Sequence, residues 1–136
     1  MNSEVRHLTV AAVKAIHTEV LAAHGGAEGL RDEPLLESAV AAPQATIMGQ
    51  PLISDPIEIA AAYLFYLCRN QAFIDGNKRT ALAVCLVFLE QNELLPDDNL
   101  PDDEWEEFVL ELASSKLDRD ATTRRLRKLV KRPRKR

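Results

Sequence analysis

The residues best equipped for chemistry lie between Arg69 and Leu82, in the stretch RNQAFIDGNKRTAL. Within a few positions it sets an acid (Asp75), a glycine (Gly76), an amide (Asn77) and two cations (Lys78 and Arg79) ahead of an apolar run that begins at Ala81. That run reads as a helix, so Lys78 and Arg79 stand at a helix start, where the positive end of the dipole repels them. A bound anion removes the conflict. Gly76 lets the backbone come close, and the free N–H groups of a helix start point at a ligand. Asn77 offers a side-chain donor. Lys78 and Arg79 add charge, and arginine matches phosphate oxygens two at a time. Asp75 is then the acid beside the phosphates, placed to hold Mg²⁺. The spacing is not that of the common Gly-rich P-loop. The competing reading is a surface turn in which Asp75 caps the helix and both cations face water.

The rest of the chain has to position this loop. Its 136 residues are the length of one ordinary domain, and an apolar content of 46% suits a folded core. Cys68 and Cys85 sit inside apolar runs and fit neither a disulfide framework nor a metal pattern, as expected of buried thiols in a cytoplasmic protein. The opening MNSEVRHL lacks the apolar core of a signal peptide, and no apolar stretch approaches the roughly 18 residues of a membrane helix. The net charge of −4 conceals an asymmetry: residues 1–123 carry −13 and residues 124–136 carry +9. A basic tail can grip nucleic acid, but no aromatic residue is interleaved here to stack on bases.

Nearly every periodic segment reads as helix. Thr9 can cap a first helix running to about His24, with Val13, Ile16 and Val20 on one face and Gly25-Gly26 ending it. Asp32 can cap a second, with Pro34 in its first turn and Pro43 limiting its far end. ATIMGQPLIS reads as a loop or short hairpin. Asp55, Pro56 and Glu58 open a third helix, apolar all round through IAAAYLFYLC, and ALAVCLVFLE is a second such run. Pro101 opens a further helix with Trp105, Phe108, Val109 and Leu112 inward, behind an acidic stretch from Asp97 to Glu107 that suits a helix start. A last helix from about Asp120 turns Leu126, Leu129 and Val130 inward. The expected architecture is one all-α bundle of about six helices, with residues 1–123 as its core and 124–136 as the end of the last helix and a basic tail.

With these elements set out, AFIDGNKRTAL resembles the core motif of the Fic/Doc family, whose signature in the Doc branch runs His-x-Phe-x-(Asp/Asn)-Gly-Asn-Lys-Arg. HGGAEGLRDEPLLESAVAAPQA is similar to the family's second-helix region, and the helix order agrees over nearly the whole chain. The resemblance implies a small helical bundle whose loop binds ATP through its phosphates with Mg²⁺. Gly76, Asn77, Lys78 and Arg79 would be the phosphate-binding set and Asp75 the metal ligand. It also implies a flexible flap from about Thr46 to Ile53, with Thr46, Ile47, Met48, Gly49 and Gln50 docking the target. Most relatives transfer AMP to a protein hydroxyl. Doc-type members carry lysine where those transferases carry a second glycine, bind ATP the other way round, and pass a phosphate to a threonine of a translation factor. Lys78 occupies that position. The implied partners are a small cognate antitoxin and a target in translation.

One departure stands out. Phe73, expected to anchor the loop into the bundle, fixes the register, and the family's histidine position is then Gln71. In the family this histidine takes the proton from the attacking hydroxyl. An imidazole does so near neutral pH, whereas an amide has no basic lone pair there. His7, His17 and His24 lie in or near the first helix, far from the motif in sequence. His17 is expected at the edge of the helix face, without a site role. Gln71 is either natural, in a degenerate relative that binds without transferring, or a change selected or made during handling because the active form harms its host; histidine and glutamine codons differ by a single base. Four readings follow: an impaired Doc-type phosphotransferase toxin; an AMP transferase, disfavoured by Lys78; a non-catalytic nucleotide- or partner-binding module; and nucleic-acid binding through the tail.

Overall fold

A computed structural model of the chain describes residues 4–95 and 102–130. Six α-helices fill most of this length: α1 (Val10–His24), α2 (Glu33–Ala41), α3 (Pro56–Asn70), α4 (Asn77–Gln91), α5 (Asp102–Ala113) and α6 (Arg119–Val130). Between α2 and α3 a short 3₁₀ turn (Ala42–Gln44) leads into a hairpin of β1 (Thr46–Ile47) and β2 (Gln50–Pro51), paired antiparallel. The fold is the expected all-α bundle with a small hairpin before its central helix. Asp97, Asp98, Pro101 and residues 131–136 lie outside the described residues.

Helix starts follow the side chains able to take orphan N–H groups. Thr9 accepts from the amide of Ala12, Asp32 from Leu35, Asp55 from Ile57 and Asp118 from Ala121. Glu58 does not complete a capping box at the start of α3; its carboxylate pairs with Arg119 at 2.8 Å. Helix α4 is the exception, because Gly76 precedes it in the left-handed region and no side chain caps it.

Helix α3 is the axis of the bundle and packs against α2, α4, α5 and α6. Its Ala60, Ala61, Ala62, Tyr63 and Leu64 are fully buried, as are Val84, Cys85, Phe88 and Leu89 of α4. Small alanines let neighbouring helices approach α3, and the larger side chains of α4 fill the gap. The Tyr63 hydroxyl is not stranded: it accepts from the amide of Leu8 at 3.1 Å and lies 2.9 Å from Nδ1 of His7. Trp105, Phe108, Val109 and Leu112 of α5 are all buried.

Helix α6 carries the core beyond residue 123, since Leu126 and Leu129 are buried while Val130 is only partly so. Three of its arginines are engaged with the acidic body: Arg119 with Glu58, Arg127 with Asp55 and Arg125 with Glu111. These half-exposed pairs are each worth about 0–1 kcal/mol, so they orient α6 more than they stabilise it. Arg125 and Arg127 of the basic 124–136 segment are thus paired with acids of the body. Among the described residues, no helix is long and apolar enough to cross a membrane.

On α1 the buried side chains are Val13, His17 and Leu21, while Ile16 and Val20 are only partly covered. The inward face is therefore rotated from the expected one, and His17 is in its middle, not at its edge. An imidazole can be buried at little cost when its N–H finds an acceptor, and His17 finds one in the motif loop.

Candidate functional site

Residues 71–79 form an arc from the last turn of α3 to the first turn of α4. The arc opens at Gln71, whose φ of 49° and ψ of 52° place it in the left-handed region as the C-cap of α3. A non-glycine residue there needs outside support. Arg31 supplies it, donating from Nε (2.9 Å) and Nη2 (2.5 Å) to the carbonyl of Gln71 and from Nη2 to that of Asn70 (3.3 Å). A cation also suits the negative end of α3. The Gln71 side chain is exposed and makes no hydrogen bond with a described residue.

The connection between α1 and α2 braces the arc along its length. The carbonyl of Ala72 accepts from the amides of Arg31 (2.7 Å) and Asp32 (3.0 Å), and the amide of Ile74 donates to the carbonyl of Gly29 (3.0 Å). The amide of Ala27 donates to one carboxylate oxygen of Asp75 at 3.0 Å, and the amide of Gly76 donates to the other at 2.8 Å. Gly26 makes this approach possible: a Cβ there would come within 2.9 Å of Asp75 Oδ2. The amides of Ala27 and then Gly76 hold the Asp75 carboxyl below the usual range, with smaller help from His17 and Arg79.

Phe73 is 4% exposed. Its ring lies flat on the imidazole of His17, with centroids 3.8 Å apart and planes 9° from parallel. The Phe73 backbone is held by Asn77, whose Oδ1 accepts from the Phe73 amide (3.0 Å) and whose Nδ2 donates to the Phe73 carbonyl (2.9 Å). The Asn77 side chain is thus engaged first with the backbone of its own loop. It closes the loop on itself; one Nδ2 hydrogen and the backbone N–H have no acceptor among the described residues.

Helix α4 makes its first intrahelical bond from the amide of Thr80 to the carbonyl of Gly76 at 2.9 Å. The amides of Asn77, Lys78 and Arg79 have no acceptor among the described residues. Gly76, at φ 78°, makes the left-handed turn that presents them. Lys78 and Arg79 are exposed and form no ion pair with a described residue. Lys78 lies near enough to Cys68 on α3 to offset part of the rise that burial imposes on that thiol.

Three open amides, two unpaired cations and a left-handed glycine suit an anion with several oxygens. The donor set for a metal is sparser. No group of three or more His, Cys, Asp or Glu among the described residues could hold one. Asp75 keeps further lone pairs beyond its two backbone bonds, which fits the single-carboxylate role that Mg²⁺ takes when phosphates and water complete its shell. Asp75 does not cap α4 in the ordinary way, because its oxygens reach Gly76 and Ala27.

The remaining expected site residues lie on the hairpin. Met48 and Gly49 both have positive φ, 52° and 79°, in a two-residue turn of the kind that matches strand twist. Met48 at its tip is 96% exposed, and Ile47 and Leu52 are both 58% exposed. Ile53 is buried and pins the base, so the projecting part ends at Leu52. Thr46, Ile47, Met48, Gly49 and Gln50 all belong to this projection.

The site residues missed from the sequence are His17, Arg31 and the backbone of 27–32. His17 was accessible in principle: Val13, His17 and Leu21 are spaced four apart and fall on one helix face.

Comparison with known proteins places this geometry in context. A family model described as the Fic/DOC family matches residues 7–89, from just before α1 to nearly the end of α4. Toxin Doc of Mycolicibacterium smegmatis is 40% identical over 99 residues, covering 73% of this chain and 76% of that protein. Protein kinase doc of Escherichia phage P1 is 34% identical over 88 residues, covering 65% of this chain and 69% of that protein.

Proposed function

The chain belongs to the Fic/Doc family, and from that premise we propose that it is a Doc-like toxin of a toxin–antitoxin module, built to phosphorylate a protein and impaired at the catalytic step. The observation that carries the reading is the start of α4. Three backbone N–H groups and the side chains of Lys78 and Arg79 are gathered at this helix start without a hydrogen-bond or ion-pair partner among the described residues. The triphosphate of ATP supplies the anion they lack, with Mg²⁺ on Asp75. The names of the relatives, one a toxin and one a protein kinase, support the same reading.

In the proposed reaction a hydroxyl of the target, a threonine or serine of a translation factor, attacks the terminal phosphorus. The bond from that phosphorus to the ADP oxygen breaks, and the hydroxyl proton would pass to a histidine at position 71, a role that Gln71 leaves unfilled. Lys78 and Arg79 hold the phosphates in line and balance their charge. The exposed apolar tip of the hairpin, Ile47 and Met48, supports docking of the protein target. Gln71 sits where the base belongs and can orient a hydroxyl without taking its proton. A small antitoxin is the proposed partner in the cell.

The alternative of AMP transfer is disfavoured by Lys78, which adds bulk and charge where a second glycine leaves room. A non-catalytic binding module is the reading that Gln71 favours. The phosphate assignment is tested by calorimetry with ATP and Mg²⁺ on the chain as it stands. Arg79→Ala is expected to weaken binding by about 1.5–3 kcal/mol, the worth of a charge-assisted hydrogen bond. Equal affinity in the variant removes the assignment.

A further inference from the structure

We propose that His17, on α1 and outside the motif, is the positioning residue that sets the phosphate-binding amides of α4, through a hydrogen bond from its Nε2–H to the carbonyl of Asp75. The inference rests on the phosphate reading of the arc and extends it to a residue beyond the motif.

His17 is 5% exposed. Its Nε2 lies 2.8 Å from the Asp75 carbonyl oxygen. A carbonyl only accepts, so the proton is on Nε2. The stacked Phe73 ring, 3.8 Å away, leaves the imidazole no freedom to tilt. A Cβ on Gly76 would come within 3.7 Å of the same ring, so His17 lies directly under the turn.

The peptide between Asp75 and Gly76 is thereby fixed at both ends. Its oxygen is held by His17, and its N–H by the Asp75 carboxylate at 2.8 Å. This peptide is the last before the left-handed turn at Gly76. Its plane fixes how Gly76 enters α4, and so where the amides of Asn77, Lys78 and Arg79 point. Phe73 and Asn77 hold the arc's position, but neither touches the Asp75 carbonyl. Without His17 that carbonyl has no protein donor among the described residues, and rotating the peptide toward water would turn the amides away from their common focus. A preorganised donor set binds better than one that must be ordered by its ligand.

Two substitutions separate this role from simple packing. His17→Phe keeps a ring to stack on Phe73 and removes the donor. His17→Gln loses the ring and keeps an N–H at nearly the reach of Nε2. The measurements are the backbone amide resonances of Gly76 to Arg79, the melting temperature, and calorimetric affinity for ATP with Mg²⁺. His17→Phe is expected to move those amide resonances and to weaken ATP by about tenfold or more, the effect of losing one well-placed hydrogen bond, while melting close to the parent. His17→Gln is expected to keep the resonances and the affinity near the parent's even where it melts lower. The reverse order, with His17→Phe binding normally and His17→Gln failing, makes His17 a packing residue and overturns the proposal. The imidazole nitrogen spectrum of the unaltered protein gives an independent check, since an Nε2 without its proton at neutral pH also overturns it. A chain that binds no ATP at all refutes the phosphate reading separately, and the amide resonances still decide the role of His17.

Discussion

Asn77→Ala asks whether the motif asparagine is a clamp or a ligand donor. Its side chain makes two hydrogen bonds, both to the backbone of Phe73. A net contribution of about 0.5–1.5 kcal/mol for each gives about 1–3 kcal/mol for the pair. Alanine's better helix propensity returns a few tenths. The expected loss is thus about 1–2.5 kcal/mol, a sizeable part of the roughly 5–15 kcal/mol that holds a domain together. Urea unfolding measures it as a lower midpoint with an unchanged slope. ATP affinity should fall in the same variant, because the arc is no longer closed. Asn77→Asp makes a second comparison. It keeps the acceptor for the Phe73 amide, and a carboxylate at a helix start is favoured by about 0.3–1 kcal/mol. Its stability should stay near the parent's while ATP binding is lost to charge repulsion. If Asn77→Ala loses ATP binding with an unchanged urea midpoint, the side chain acts on the ligand directly and the clamp is refuted.

Phe73→Ala should cost about 3–5 kcal/mol, the range for a buried aromatic, because the ring is 4% exposed and stacked on His17; an unaltered melting temperature would contradict its anchoring role. Asp75 gives a prediction in pH. Its carboxyl is held low by the amides of Ala27 and Gly76, and a lowered carboxyl contributes stability above its unfolded value and loses it as pH falls through the folded one. The Ala27 and Gly76 amide resonances should therefore stay constant from pH 8 down to about 5 and move together below about 4. A joint transition near neutral pH that vanishes in Asp75→Ala would show that the carboxylate is not held in this way.

Local signals carried the fold. Thr9, Asp32 and Asp55 cap where the sequence pattern puts them, and the two all-apolar runs became the central pair α3 and α4. The hairpin between α2 and α3 followed from a glycine and a proline among β-favouring residues. Charge at the start of α4 was legible for the same reason, because a broken dipole rule is a local feature. The contacts that hold the arc were not. His17 and Asp75 are 58 positions apart, and Arg31 and Gln71 are 40 apart. No local pattern fixes which carbonyl a buried imidazole or a guanidinium will find. The clamp that Asn77 makes on Phe73 was not legible either, because a side-chain amide looks the same in sequence whether it faces a ligand or its own backbone. The pairing of Glu58 with Arg119, 61 positions away, is equally invisible to a local pattern.

The central claim is that position 71 alone separates this chain from an active phosphotransferase. Its most direct test is transfer by the parent and by Gln71→His, side by side, to translation factors, using ATP labelled on the terminal or on the innermost phosphate. The substitution leaves the brace by Arg31, which touches only the backbone of residue 71, in place. The two proteins should bind ATP equally. The histidine form should transfer the terminal label to a threonine or serine at least about 10²–10⁴-fold faster, the usual contribution of a general base, and should arrest growth of a bacterial host. Transfer of the innermost label would mark an AMP transferase instead. A histidine form as inert and harmless as the glutamine form would contradict the account and leave the chain a binding module.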